Sequence, residues 1–251
     1  LFIAAMAEAE GGMEEGLNAT SQILKVRGRV VPSTLTDIQL QAEMTDGTIV
    51  SGESKIPEAR KRIKKMLMCP ENAPATSGAV EAILKADVLI FGPGSLYTSV
   101  IPNLLVKEIR EAVVKSEAVK IYVCNVMTQP GETDGYGAFE HVKALLDHVG
   151  EQFLDYVIVN DEKISAEQLK QYFAEGAMPV TPDIDKIRRL GITVVPASLI
   201  SKKNLVRHEP KKLSRVLITL IYRLRLFGKG VQFFDYIFMR HGLNIMEKEH
   251  K

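Results

Sequence analysis

The sequence is poor in cysteine, in charge imbalance and in long apolar runs, and each shortage excludes a class of protein. Cys69 and Cys124 are its two cysteines. They cannot build a disulfide framework or a four-thiolate zinc site, and they suggest a reducing compartment. The 32 Lys and Arg nearly balance the 31 Asp and Glu, leaving a net charge of +1. That removes the broad basic field needed for nucleic-acid binding, although a local basic patch stays open. No stretch reaches the length of a membrane span. The most apolar window, Val216 to Leu226, is interrupted by Arg223 and Arg225. Leu1 to Met6 has no basic stretch before it and acidic residues after it, unlike a secretory signal. With 18 Gly and 11 Pro, the chain is not of low complexity.

What remains is a globular profile. Of 251 residues, 46% are hydrophobic and 25% charged, ample for a buried core. Leu1 to Leu24 has helical periodicity, with a break expected at Gly11-Gly12. The opening residues read like the middle of a helix, which suggests a fragment. Ile38 to Met44 alternates apolar and polar residues, and Asp46-Gly47 signals a hairpin before Thr48-Ile49-Val50. Residues 26–56 therefore read as a small antiparallel subregion, with Glu58 to Met66 as a short basic helix.

From Ala79 the pattern alternates strands and helices. Strands are expected at 88–91, 121–124, 156–159 and 192–195, a helix closing over 81–85, and helices at 104–114, 138–149 and 165–173, with Ser165 as a cap. Strands apolar throughout, alternating with helices, predict an α/β fold with a mostly parallel, Rossmann-like sheet. Leu213, Val216, Leu217, Leu220, Ile221 and Leu224 form one stripe of a C-terminal helix. Gly228 and Gly230 are expected to stop it. Phe233 to Met239, in the tail 228–251, is read as core cover or a subunit contact in a homo-oligomer, with a membrane-surface role as a weaker alternative.

In such a sheet, ligands bind beyond the carboxyl ends of strands. Three such ends carry polar loops. The first holds Gly92, Gly94, Ser95, Thr98 and Ser99, and reads either as an anion cradle or as a tight strand-to-helix turn. The second holds Asn125, Thr128, Gln129, Glu132, Thr133 and Asp134. A polar loop at a strand end is costly unless its groups are satisfied, which favours binding over a solvated loop in which Thr133 or Asp134 caps the next helix. The third, Asn160-Asp161, reads as an Asx turn. His141 and His148 are seven residues apart, too far for the usual metal pair, and read as surface residues. The run Arg60 to Lys65 reads as a solvated face, and Cys124 as a small buried residue. No metal site is indicated.

The segments Gly92 to Leu105 and Cys124 to Tyr136 resemble the central motifs of the YvcK group, the bacterial gluconeogenesis factors of the CofD-like superfamily. Val26 to Thr34 and Gly52-Glu53-Ser54 also match, and the resemblance runs from Leu1 to about Leu217. It implies a Rossmann-like three-layer α/β/α fold over residues 1–227 and a cytoplasmic protein. The better known branch transfers a 2-phospholactyl group from a nucleotide donor to a deazaflavin. The YvcK branch is associated with UDP-sugars, notably UDP-N-acetylglucosamine, and with cell shape and wall synthesis on gluconeogenic carbon. The resemblance thus implies a nucleotide-sugar-binding regulator without turnover, with a CofD-type transferase as the alternative. It adds Tyr172 and Arg207 to the expected ligand-binding residues. The family's opening glycine-rich loop would lie before Leu1. Glu209-Pro210 stands where relatives have an acidic residue and a phosphorylatable threonine, so that regulation is not expected.

Overall fold

The computed structural model describes residues 2–25, 27–201 and 206–227. Its centre is a parallel sheet of four strands in the order β4 (Val88–Phe91), β5 (Val119–Val123), β6 (Tyr156–Asn160) and β7 (Thr193–Ala197). Side chains alternate across a strand, and here the alternation sorts them into two cores. Tyr122, Val157, Val159 and Val194 face one side. There they meet α5 (Ile101–Leu105), α6 (Lys107–Lys115), α7 (Ala138–Val149) and α9 (Ile184–Arg188). Val119, Ile121, Val123, Tyr156, Ile158 and Val195 face the other side. They pack on Leu213, Val216, Leu220 and Leu224 of α10 (Pro210–Phe227). Helices on both faces of a parallel sheet make the three-layer α/β/α arrangement.

A second sheet is antiparallel, ordered β2 (Ile49–Ser51), β1 (Gln39–Met44), β3 (Ile63–Cys69). Here the reading from sequence needs correction. Residues 27–38 contain no strand. The segment Glu58 to Met66 is not a helix: a four-residue helix, α3 (Lys55–Glu58), ends at its first residue, and β3 begins at Ile63. The reason is a bulge. Glu43 pairs with Lys65 but Met44 pairs with Ile63, so Lys64 is an extra residue on β3. The bulge sets buried Ile63 and Met66 three apart, which imitates helical spacing. Lys64 and Lys65 of the basic run are therefore strand residues, and Arg60, Lys61 and Arg62 lie in the connection before it. Lys64 pairs with Glu43 at 2.6 Å and Lys61 with Asp46 at 2.7 Å.

The two sheets share one core: Ala42, Met44, Ile56 and Met66 pack in the same cluster as Ile101 and Leu145. α1 (Phe2–Glu10) and α2 (Met13–Ile23) form a hairpin broken at Gly11-Gly12, as expected. The helix expected over 104–114 is two helices, because Val106 turns extended at φ -65 and ψ 114. The Arg110 guanidinium then caps the Leu104 carbonyl at 3.2 Å. α4 (Ser77–Lys85) closes over Glu81 to Lys85 as expected, and Thr76 caps its start, its side chain accepting from the Ala79 N–H. α8 (Ala166–Glu175) has Ser165 as its cap, accepting from the Gln168 N–H. The expected helix stop at Gly228 and Gly230, and the aromatic run Phe233 to Met239, lie outside the described residues.

Candidate functional site

The polar loops lie at the carboxyl ends of adjacent strands. After β4 the chain turns at Gly92, at φ +80, where a Cβ would stand 3.0 Å from the Val123 carbonyl oxygen. Only glycine fits such a left-handed turn at that distance without strain. Leu96–Val100 follows as a single π-helical turn, begun by Ser99 and Val100 N–H groups donating to the Ser95 carbonyl at 3.0 and 2.9 Å.

Side chains of the first two loops meet. The Ser95 hydroxyl donates to Gln129 Oε1 at 2.7 Å. Gln129 Nε2 donates to Glu132 Oε1 at 2.5 Å, and Thr98 donates to the same oxygen at 3.1 Å. Glu132 is 3% exposed and its Oε2 has no partner among the described residues. Burial pushes its carboxyl above the ordinary range, against the Thr98 hydroxyl and the backbone of Tyr97, which pull it down.

Other expected ligands hold the second loop in shape. Thr128 exchanges two hydrogen bonds with Met178, at 2.7 and 2.9 Å. Asp134 accepts from the Gly131 N–H at 2.6 Å and Thr133 from the Gln129 N–H at 2.8 Å. Much of the loop's polarity is therefore satisfied within the protein. The cap of α7 is supplied by neither Thr133 nor Asp134: Glu140 accepts from the Gly137 N–H at 2.8 Å. Gly131 sits against α3, where a Cβ would lie 2.0 Å from the Pro57 carbonyl oxygen.

Asn125, half-buried, makes no side-chain hydrogen bond among the described residues. Near it stand the two residues added by family resemblance. Tyr172 packs with Val126, Ile200 and Val206, and its hydroxyl donates to the Val206 carbonyl at 3.4 Å. Arg207 is exposed, and its carbonyl accepts from the Ser201 N–H at 2.9 Å. His208 pins this segment beside Asn125, its Nε2 lying 3.2 Å from the Cys124 carbonyl. Ser95, Thr98, Gln129 and Glu132 thus gather at the ends of β4 and β5. Asn125, Tyr172 and Arg207 gather at the ends of β5 and β7. Gly92, Gly94, Thr128 and Asp134 shape the rim. Burial pushes the Cys124 thiol up to about 12, which leaves it no nucleophilic thiolate. Asn160 does not close the expected Asx turn: its Nδ2 donates to the Glu162 carbonyl at 2.8 Å, and its Oδ1 accepts the Leu199 N–H at 3.0 Å.

His141 and His148 are a correction: neither is a surface residue. His141 is fully buried, with Nδ1 2.8 Å from the Gly137 carbonyl and its ring edge-on to Tyr136. His148 Nε2 accepts the Met66 N–H at 2.9 Å while Nδ1 donates to the Ala144 carbonyl at 2.7 Å. They lie on the face of α7 that packs inward, which a spacing rule for metals does not register. No group of three metal-ligating side chains occurs among the described residues.

A groove of about 540 Å³ runs along β4. Gly92, Gly94 and Ser99 line its end together with Arg29, Ser33 and Asn103, over an apolar floor. The last three were not singled out from sequence. Ser33 and Asn103 meet at 2.5 Å across seventy residues of chain, a pairing no local pattern announces.

Comparison with known proteins agrees with this architecture. The family model "2-phospho-L-lactate transferase CofD" matches residues 1–200. A relative from Nostoc sp. is 46% identical over 221 residues, covering 87% of this chain and 48% of its own length. The Bacillus subtilis protein named "Gluconeogenesis factor" is 44% identical, over 88% of this chain and 70% of its own. The chain therefore spans from about half to about two thirds of these relatives. A crystal structure of a UPF0052-family protein from Bacillus halodurans superposes with a TM-score of 0.83 at 43% identity, over 86% of this chain and 70% of that one. With its fold matched and most of its length under the family model, the chain belongs to the CofD family.

Proposed function

We propose that the chain binds a nucleotide-sugar of the UDP-N-acetylglucosamine type at the carboxyl edge of the parallel sheet. It does so as a cytoplasmic regulator of cell shape and wall synthesis during gluconeogenic growth. The observation that carries the reading is the Ser95–Gln129 hydrogen bond at 2.7 Å, which joins a glycine-rich loop to a polar loop at the ends of neighbouring parallel strands. A diphosphate suits the backbone around Gly92 and Gly94, with the exposed Arg207 guanidinium as counter-charge. Ribose and sugar hydroxyls suit Asn125, Gln129 and Tyr172. The name carried by the Bacillus subtilis relative supports the physiological half of the proposal. Residues 1–227 are assigned to one CofD-like domain, followed by the tail 228–251.

The family model's description favours a second reading, a transferase acting on a nucleotide-activated substrate. One experiment separates the two. UDP-N-acetylglucosamine is titrated calorimetrically into the full chain and into Tyr172→Ala and Arg207→Ala variants, with products sought by mass spectrometry. Saturable binding that weakens at least tenfold in both variants, without product, is the expected result. Binding with conversion would favour the transferase. No binding by the unaltered chain would remove the nucleotide-sugar reading.

A further inference from the structure

The outward face of α10 has a chemistry that the sheet does not use. The helix carries Lys211, Lys212, Arg215, Arg223 and Arg225 and no acidic residue. Lys212 pairs with Glu162 at 3.2 Å. Lys211, Arg215 and Arg225 are exposed and make no ion pair among the described residues. Between them runs an apolar line. Ile218, Tyr222 and Leu226 follow one another at four-residue spacing and are 66%, 63% and 56% exposed. At about 100° per residue, this line stands opposite Leu213, Val216, Leu220 and Leu224, which the sheet covers. So α10 is apolar on both poles, and its outer pole is set among unopposed cations.

We propose that this face docks on an anionic lipid surface, with Ile218, Tyr222 and Leu226 entering the headgroup region and Lys211, Arg215 and Arg225 meeting lipid phosphates. Three features favour that occupant. The apolar line is a convex ridge on a helix lying flat against its own sheet, which suits insertion into an interface. Tyrosine at the centre of the ridge has the amphipathic ring that headgroup regions accept. Long cationic side chains beside apolar ones let their heads reach phosphate while their stems stay in the apolar layer. A second copy of the chain is a poor occupant, because pairing α10 with α10 would set cations against cations. No described helix is long and apolar enough to cross a membrane, so the contact is peripheral.

The test is co-sedimentation of the full chain with two kinds of vesicle, pure phosphatidylcholine and an equimolar mixture with phosphatidylglycerol. The chain should partition roughly tenfold or more in favour of the anionic vesicles, and added salt should reduce the difference. Ile218→Glu/Leu226→Glu and Arg215→Glu/Arg225→Glu should each return binding to the phosphatidylcholine level. All six of the cited faces' side chains point away from the core, and circular dichroism melting checks that both variants keep their fold. Equal binding to the two vesicles, or none, would overturn the proposal. So would unchanged binding by Ile218→Glu/Leu226→Glu, which would move the contact to another part of the chain. If soluble polyglutamate bound instead of vesicles, the face would belong to an acidic protein and the lipid assignment would fail.

Discussion

Glu132 is a buried carboxylate with one oxygen bonded and the other without a partner among the described residues. Its folded pKa is raised by burial. A raised carboxyl contributes stability below the unfolded value, about 4.5, and loses it as pH rises through the folded value. At pH 7 the charge therefore works against the fold. Glu132→Gln keeps an acceptor for Thr98 and should raise the melting temperature at pH 7 by roughly 2–4 °C, as about 1 kcal/mol does in a domain of this size. The gain should vanish near pH 4, and calorimetry at both pH values would refute the argument if Gln were destabilising at pH 7. Gly92 gives the opposite case. Gly92→Ala places a Cβ at φ +80 against the Val123 carbonyl, and should lower stability by about 1–3 kcal/mol in urea unfolding. The significance of Gly92 was legible in the sequence as a glycine after an apolar strand. The Glu132 environment was not, because its partner Thr98 belongs to another loop and becomes a neighbour only when two strands lie side by side.

Among the elements, α7 was legible to the residue, since a long amphipathic run ends at Gly150 in the left-handed C-cap conformation. β3 was not, because one bulge turned its period of two into a spacing of three. The separation of α5 from α6 rests on Val106, a residue with no breaking tendency of its own. Its side chain is held in the core, so tertiary packing decided the backbone. α7 and β3 are tied through His148, which must be neutral at Nε2 to accept the Met66 N–H. Burial lowers its pKa, with Lys65 adding to the effect, and the Ala144 carbonyl and Asp147 opposing it. A lowered histidine contributes stability above its unfolded value, near 6.5, and loses it as pH falls toward the folded value. The wild-type chain should thus weaken between pH 7 and 5.5 in urea titrations. His148→Gln, which can still accept that N–H, should weaken less over the same interval. Equal slopes would show that another group is responsible, and the buried His141 and the half-buried His208, both also lowered, would be next to examine.

At the scale of the molecule, the two sheets share a single core, so neither should melt alone. Met66→Ala, at a fully buried position of the antiparallel sheet, should cost about 2–5 kcal/mol. The loss should register on the parallel sheet too, as faster hydrogen exchange at the amides of β5. Loss confined to β1–β3 would mean that the sheets unfold separately. The three-layer plan was legible because both-side burial writes apolar runs into strands. Which loops would touch was not, since strand order is a property of the whole.

The open side of β4 has a further consequence. Among the described residues, β4 pairs only with β5. Asp87 gives its carbonyl to the Val119 N–H, so by alternation the backbone groups of Val88 and Ile90 point away from β5. Ile90 is 43% exposed. Such an edge is a template that can recruit another extended chain and seed aggregation. Concentrated solutions should grow turbid first through this strand, and Ile90→Lys, a gatekeeper charge, should raise the concentration at which light scattering begins.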